Sequence, residues 1–138
     1  NQLTSEVTEM KEMMLLTLLE KESPSDRLKA VHLTSDMSTV SEKVTDALIH
    51  TLNKDENVNV RLEALEALYP YAENSNVRRA LIASIRNQES PLVQVALAEM
   101  MVVLQEKKSV DELKHLLEKE ETPEEIKLRL QESIQTII

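Results

Sequence analysis

The chain has no glycine, cysteine, tryptophan or phenylalanine, and it has only two tyrosines among its 138 residues. Without glycine, the sequence excludes glycine-rich phosphate-binding loops and the dinucleotide-binding fingerprint. Without cysteine, it excludes a disulfide framework, a thiolate zinc site and a cysteine nucleophile. The hydrophobic core must therefore consist of leucine, valine, isoleucine, alanine and methionine.

Charge and hydropathy limit the partners that we expect. The chain has 25 acidic and 16 basic residues and a net charge of −9, so nucleic acid is not an expected partner. The longest apolar run, MMLLTLL at residues 13–19, is too short for direct membrane insertion. No signal peptide is recognisable at the N-terminus. Because the sequence begins Asn1-Gln2 rather than with Met, we expect a piece of a longer protein, with any targeting or anchoring segment outside it.

One stretch of sequence recurs with a period of about 33 residues. NVNVRLEALEAL at residues 57–68 is echoed by SPLVQVALAEMMVVL at residues 90–104, and a weaker copy, SPSDRLKAVHL, begins at Ser23. In the weaker copy, Arg27 corresponds to Arg61. Each copy is followed by a second segment with helical periodicity. Two helices per repeat are typical of an α-solenoid, in which stacked hairpins bury one another's apolar faces.

Helix-start signals agree with this organisation. Ser23, Ser90 and Thr122 each precede a proline, a combination typical of an N-cap and the first helical residue. Capping boxes are indicated at Thr39/Glu42, Ser109/Glu112 and Thr122/Glu125. The sequence predicts eight helices, at residues 3–21, 24–35, 39–53, 57–72, 75–87, 90–105, 109–120 and 122–137.

The repeats resemble HEAT repeats. The pattern V-R-x-x-A-x-x-x-L, beginning at Val60, is similar to the first HEAT helix, and A-L-x-x-x-L, beginning at Ala47, is similar to the second. The resemblance implies an all-α fold: a right-handed α-solenoid of about three and a half helical hairpins. An N-terminal capping or linker helix at residues 1–22 precedes the repeat domain at residues 23–138. The implied repeats are residues 23–55, 56–88, 89–121 and 122–138.

A narrower resemblance is to the C-terminal HEAT region of bacterial membrane proteins with a zinc-binding, anti-sigma-factor-like domain and one transmembrane helix. It involves EMKEMMLLTLLEKESPSDRLKAV, ENVNVRLEALEAL and ESPLVQVALAEMMVVLQEKKSVDELKHLLEKEE. The sequence includes neither the zinc domain nor the membrane helix, so their functions transfer to no residue here. The resemblance implies a regulatory or sensory arm, tethered at its N-terminal end on the extracytoplasmic side of the inner membrane. Without it, a cytoplasmic location is expected.

The second helices of HEAT repeats usually line a concave surface, and exposed positions there are candidates for partner binding. Positions i, i+3 and i+7 of each helix share one face. The candidate residues are Lys43, Asp46, His50, Arg79, Arg86, Lys108, Asp111 and His115. The alternative is a solvated face. Arg78, Arg79 and Arg86 form a basic cluster that either binds a partner's carboxylate or phosphate or pairs with nearby acids such as Glu73.

Two further features have alternative interpretations. Tyr69 and Tyr71 flank Pro70, which should kink or end its helix, and they either anchor a partner or cover the end of the core. The first helix has a wide apolar stripe, which either caps the first repeat or mediates dimerisation or partner binding through flexible methionines. The stripe comprises Val7, Met10, Met13, Met14, Leu16, Leu18 and Leu19.

We predict no catalytic residue, no metal site and no cofactor. In the solenoid, His50 and His115 would lie ~20 Å apart, too far to share a metal ion. No nucleophile–base spacing recurs, and the acids of residues 118–125 are expected to form a solvated edge. The sequence therefore predicts a non-enzymatic module that binds a protein or peptide. The alternative is a passive spacer or oligomerisation element that positions missing N-terminal domains.

Overall fold

The computed structural model describes all 138 residues, which form eight α-helices and no strand. The helices are α1 (Gln2–Leu19), α2 (Pro24–Leu33), α3 (Glu42–Lys54), α4 (Val58–Leu68), α5 (Ser75–Ile85), α6 (Pro91–Leu104), α7 (Val110–Leu117) and α8 (Glu124–Ile137). Short 3₁₀ helices lie at Thr34–Asp36, Tyr69–Tyr71 and Lys107–Ser109. The all-α class and the eight helices, in the predicted order, are confirmed.

The helices form two compact units, an N-terminal unit of residues 1–71 and a C-terminal unit of residues 72–138. In the N-terminal unit, α2 packs against α1 and α4, and α3 packs against α4 and α1. In the C-terminal unit, α8 packs against α6 and α7, and α5 packs against the same two helices. The division falls between α4 and α5, inside the predicted repeat 56–88.

The cores consist of aliphatic residues, as the composition requires. Leu15, Leu48 and Leu68 are fully buried in the N-terminal unit, and Leu81 and Leu113 are fully buried in the C-terminal unit. Leu48, Leu81 and Leu113 hold corresponding positions at offsets of 33 and 32 residues. The sequence period therefore identifies equivalent core positions in both units.

Several predicted caps are wrong because the hydroxyl groups act elsewhere. α3 begins after Ser41, not Thr39, and Ser41 Oγ donates to Glu12 Oε1 at 2.7 Å. The hydroxyl of Ser109 donates to the Glu106 carbonyl, and that of Thr122 donates to the Leu116 carbonyl. None of the three predicted capping boxes forms. Ser23 and Ser90 are the N-cap residues before their prolines, as predicted, and only the Ser23 hydroxyl forms a capping hydrogen bond, from the Asp26 amide.

Side chains at equivalent positions of the repeat support the ends of the preceding helices. Arg27 Nη1 donates to the Lys21 carbonyl at 3.0 Å, just after α1. Arg61 Nε donates to the Leu52 carbonyl at 2.9 Å, and Gln94 Nε2 donates to the Gln88 carbonyl at 2.8 Å. The last carbonyls of a helix lack intrahelical partners. These three side chains supply donors to carbonyls at or just beyond helix ends.

Arg27 also joins the starts and ends of several helices in the N-terminal unit. Its Nε and Nη2 donate to the two carboxylate oxygens of Asp55 at 2.7 and 3.1 Å, and the Asn57 amide donates to Asp55 at 2.9 Å. The side chains of Arg27 and Asp55 are only 14% and 6% exposed. Hydrogen bonding to Asp55 raises the pKa of Arg27 above its ordinary value. We call this pair the Arg27–Asp55 clamp.

The C-terminal unit contains the same arrangement. Arg78 Nε donates to the Ala72 carbonyl at 2.7 Å, and its Nη1 donates to Glu106 at 2.9 Å. Glu106 in turn accepts from the Lys108 amide at 3.0 Å. In both clamps one arginine joins a carbonyl six residues earlier to an acid 28 residues later. Each of the two units therefore contains one arginine with the same set of contacts to a backbone carbonyl and an acidic side chain.

A non-glycine residue ends α6. Gln105 takes the left-handed conformation (φ 52°, ψ 45°), its amide donates to Val102, and the Glu106 amide donates to Met101. Glycine usually occupies this position because a Cβ disfavours positive φ. Because the chain contains no glycine, a residue with a Cβ occupies this position, and the left-handed conformation of Gln105 is sterically strained.

We expect Asp55→Ala to lower the free energy of unfolding of the N-terminal unit by about 3 kcal/mol, because it leaves a largely buried guanidinium without its carboxylate. Asp46→Ala, at an exposed position of α3, is the matched control and should change it by less than about 0.5 kcal/mol. Urea unfolding of both variants is the measurement. Equal effects of the two substitutions would contradict the clamp.

We expect Gln105→Gly to stabilise the C-terminal unit by about 0.5–1 kcal/mol, because relief of the left-handed strain exceeds the added entropy of the unfolded chain. Gln131→Gly, at an exposed position inside α8, should instead destabilise it by about 1 kcal/mol. The same unfolding assay compares the two. Destabilisation by Gln105→Gly would show that the conformation carries no strain.

Candidate functional site

The C-terminal unit presents five of the predicted partner-binding residues on or directly beside two neighbouring helices. Arg79 and Arg86 lie on or directly after α5, and Lys108, Asp111 and His115 lie on α7 and the 3₁₀ helix before it. All five are exposed. Because α5 packs against α7, we call these five residues the α5/α7 face.

An ion pair and a hydrogen bond join the two sides of the α5/α7 face. Arg86 Nε and Nη2 donate to the Glu112 carboxylate at 2.6 and 3.0 Å, and hydrogen bonding to Glu112 raises the pKa of Arg86. Lys119 Nζ donates to the Arg86 carbonyl at 3.1 Å. The positive charge of Arg86 is therefore paired with a carboxylate, and two hydrogen bonds orient its side chain toward Glu112.

Of the three arginines in the predicted basic cluster, two form ion pairs with glutamates and one faces solvent. Arg78 belongs to the clamp with Glu106, and Arg86 is paired with Glu112. Arg79 is exposed, and its guanidinium donates only to Asn76 Oδ1 at 2.5 Å. Pairing with acids is thus confirmed for two of the three arginines, although Glu73 is not the acid involved. Arg79 alone presents a guanidinium without a carboxylate partner.

The other three predicted residues, Lys43, Asp46 and His50, lie on α3 in the N-terminal unit. All three are exposed, at positions i, i+3 and i+7 of one helix, and their side chains form no hydrogen bond. They are therefore open to solvent, as are the residues of the α5/α7 face. Partner binding by either set stays a prediction.

A cleft of about 230 Å³ lies between α2 and α4, and sequence reasoning did not identify it. His32 Nε2 lies 3.2 Å from Glu63 Oε2 at its edge, and both side chains are well exposed. The Ser35 hydroxyl donates to the His32 carbonyl, so it is not aligned with the imidazole as a nucleophile. Residues 32 and 63 lie 31 positions apart, so the repeat period of about 33 could have indicated that they are neighbours.

The two tyrosines follow α4 and differ in burial. α4 ends at Leu68 and Pro70 lies in the next 3₁₀ turn, so the helix ends as predicted. Tyr69 is 46% exposed and is free to contact a partner. Tyr71 is half-buried in the wall of the α2/α4 cleft, and this burial raises the pKa of its phenol. Tyr71 therefore partly covers the core, and anchoring of a partner stays a prediction for both tyrosines.

The predicted stripe on α1 separates into two faces. Leu15 is fully buried against the N-terminal unit, and Leu16, Leu18 and Leu19 are half-buried. The remaining large apolar side chains are 42–70% exposed: Leu3, Val7, Met10, Met13 and Met14. One face of α1 therefore packs on its own chain, while the other is open.

No group of three or more histidine, aspartate or glutamate side chains is arranged to hold a metal ion. None of the eight helices combines the length and apolar character that crossing a membrane requires.

We expect Tyr71 to ionise above pH 10, because burial favours the neutral phenol. Tyr69→Phe leaves Tyr71 as the sole tyrosine, so alkaline absorbance titration reports it alone. In denaturant its midpoint should fall to about 10. Since the folded state disfavours the phenolate, Tyr71's contribution to stability is complete below the unfolded pKa and is lost as pH rises through the folded pKa. Identical midpoints in folded and denatured protein would contradict this burial.

Comparison with family models, curated proteins and solved structures finds no match for this chain. The resemblance to HEAT repeats and to anti-sigma-like proteins therefore stays a prediction from the sequence.

Proposed function

We propose that the chain is a non-enzymatic HEAT-type module that binds a protein or peptide through the α5/α7 face. The repeat period, the equivalent buried leucines and the equivalent helix-end donors Arg27, Arg61 and Gln94 support a repeat architecture. By the narrower sequence resemblance, the module is the regulatory or sensory arm of a membrane-anchored anti-sigma-like protein. Its N-terminal end would be tethered, and the domain would lie outside the cytoplasmic membrane.

The free guanidinium of Arg79 is the observation that carries the proposed function. A guanidinium binds a carboxylate with two parallel, charge-assisted hydrogen bonds, which give both affinity and orientation. In Arg79 these donors face solvent, with only the neutral Asn76 amide as a partner. The partner would therefore present an acidic side chain or a chain-terminal carboxylate to Arg79.

The neighbours of Arg79 give this face a mixed charge. Lys108 adds a second exposed cation, Asp111 adds an exposed anion, and His115 adds an exposed imidazole. Arg86, which is paired with Glu112, borders this face. A partner with both acidic and basic side chains would complement such a surface better than a uniformly charged one.

We expect Arg79→Glu to weaken partner binding at least ~10-fold, because it replaces a charge-assisted pair with like-charge repulsion. Arg79→Lys should have a smaller effect, because it keeps the charge but loses the forked geometry. Arg129→Glu is the control for reversing a surface charge of the same unit, since Arg129 is an exposed arginine that lies on another helix and pairs with Glu99. Arg86→Glu is a poor test because it also breaks the pair with Glu112.

The measurement begins with cross-linked capture by purified residues 1–138, from cytoplasmic and extracytoplasmic fractions separately. The captured protein is then purified, and its Kd is measured for each variant, with circular dichroism to confirm unchanged folding. Selective loss with Arg79→Glu supports the module and identifies the compartment. Unchanged affinity of that variant contradicts the α5/α7 face, and failure to capture any specific partner favours the spacer alternative.

A further inference from the structure

The exposed face of α1 is a continuous seam with the spacing of a coiled coil. Leu3, Val7, Met10 and Met14 follow one another at intervals of four, three and four residues, and they are 70%, 42%, 68% and 57% exposed. This alternation places Val7 and Met14 at heptad position a, and Leu3 and Met10 at position d. We call these four residues the α1 seam.

The α1 seam is centred away from the residues that hold α1 on its own chain, although its first two residues also line an open cleft shared with residues 36–39. Leu15 is fully buried, and the Glu12 carboxylate accepts from the Ser41 amide at 2.8 Å and from its hydroxyl at 2.7 Å. On a helix of 100° per residue, positions 12 and 15 lie more than a quarter-turn from the centre of the seam. The seam therefore stays available while α1 is held in place.

We propose that the α1 seam pairs with the same seam of a second copy of this chain, in a parallel two-stranded coiled coil. A β-branched residue at a with leucine at d favours parallel dimers, and Val7 and Leu3 fit that rule. Parallel pairing in register brings each a residue against its equivalent and forms a symmetric interface from one surface. The methionines can adjust their shape to fill the remaining space.

The charges beside the seam favour the parallel direction. Glu6 occupies position g, and Lys11 occupies position e of the following heptad. In a parallel pair, g of one helix faces e five residues later on the other, so Glu6 meets Lys11 of the second copy twice by symmetry. Both side chains are exposed; Lys11 has no intramolecular partner, and Glu6 has only a 3.5 Å hydrogen bond from Gln2. An antiparallel pair would not bring these two residues together.

Because α1 is already docked on its own chain, a seam of only four residues is enough for dimerisation. An isolated helix of this length would be marginal in water, because forming its first turn is unfavourable. Here the burial of Leu15 and the hydrogen bonds of Glu12 already hold α1 helical. Dimerisation therefore fixes fewer degrees of freedom than pairing of two free peptides. This inference does not depend on the α5/α7 face.

Sedimentation equilibrium of the 138-residue chain over a wide concentration range tests the dimer. We expect a reversible monomer–dimer equilibrium, and Val7→Glu should weaken it at least ~100-fold by placing a charge in the seam. Val103→Glu is the matched control, because Val103 is a 63% exposed valine on α6, and it should leave the equilibrium unchanged. A monomer at every concentration, or a dimer that Val7→Glu leaves intact, overturns the proposal.

Charge exchange tests the direction of pairing. Glu6→Lys and Lys11→Glu should each weaken the dimer about tenfold, since each turns two attractive contacts into repulsive ones. The double variant Glu6→Lys/Lys11→Glu should restore the original affinity, because it exchanges the charges of each pair. Circular dichroism checks that each variant keeps its helices. If the double variant is as weak as the two single changes combined, the parallel register is wrong.

Discussion

Side-chain donors at the helix ends are the constraint on which the rest of this structure depends. Eight helices in 138 residues create many terminal carbonyls, and without glycine the chain has few of the turns that normally satisfy them. Arg27, Arg78 and Gln94 donate to backbone carbonyls just beyond helix ends. Where the side chain is arginine, its remaining donors also reach an acid beyond the next helix. The same group thus completes a helix end and fixes how neighbouring helices pack.

Because most arginines form contacts within the chain, few guanidinium groups remain to bind a partner. The chain has six arginines. Three of them donate hydrogen bonds to backbone carbonyls: Arg27, Arg61 and Arg78. Two others, Arg86 and Arg129, form ion pairs with glutamates. Only Arg79 is limited to an amide on its own helix. A basic cluster read from sequence therefore overstates the available charge. In a protein of net charge −9, one guanidinium without a carboxylate partner is a more specific feature than a cluster of three arginines within nine residues of sequence.

Periodicity made the all-α class and the order of the eight helices predictable, whereas the partners of individual side chains depend on hydrogen bonds that the sequence pattern does not specify. The 33-residue echo and the proline-marked starts gave eight helices with ends within a few residues of those observed. The exposure of Arg79, Asp111 and His115 followed from the same register. Capping failed because a serine or threonine hydroxyl can donate as well as accept, and sequence does not say which. The partners of Arg78 and Arg86 lie 28 and 26 residues away, beyond any local pattern.

The apolar stripe of the first helix is wider than packing on its own chain requires. A helix that only caps a neighbouring repeat needs one apolar face, and Leu15 with its half-buried neighbours supplies it. The α1 seam lies on another face, and leaving it in water gains nothing for the folded monomer. Large apolar side chains at regular spacing are typical of a surface that another molecule covers. Because Glu6 and Lys11 flank the seam with opposite charges five residues apart, the sequence of α1 itself specifies a complementary surface, and a second α1 is the one molecule certain to carry it.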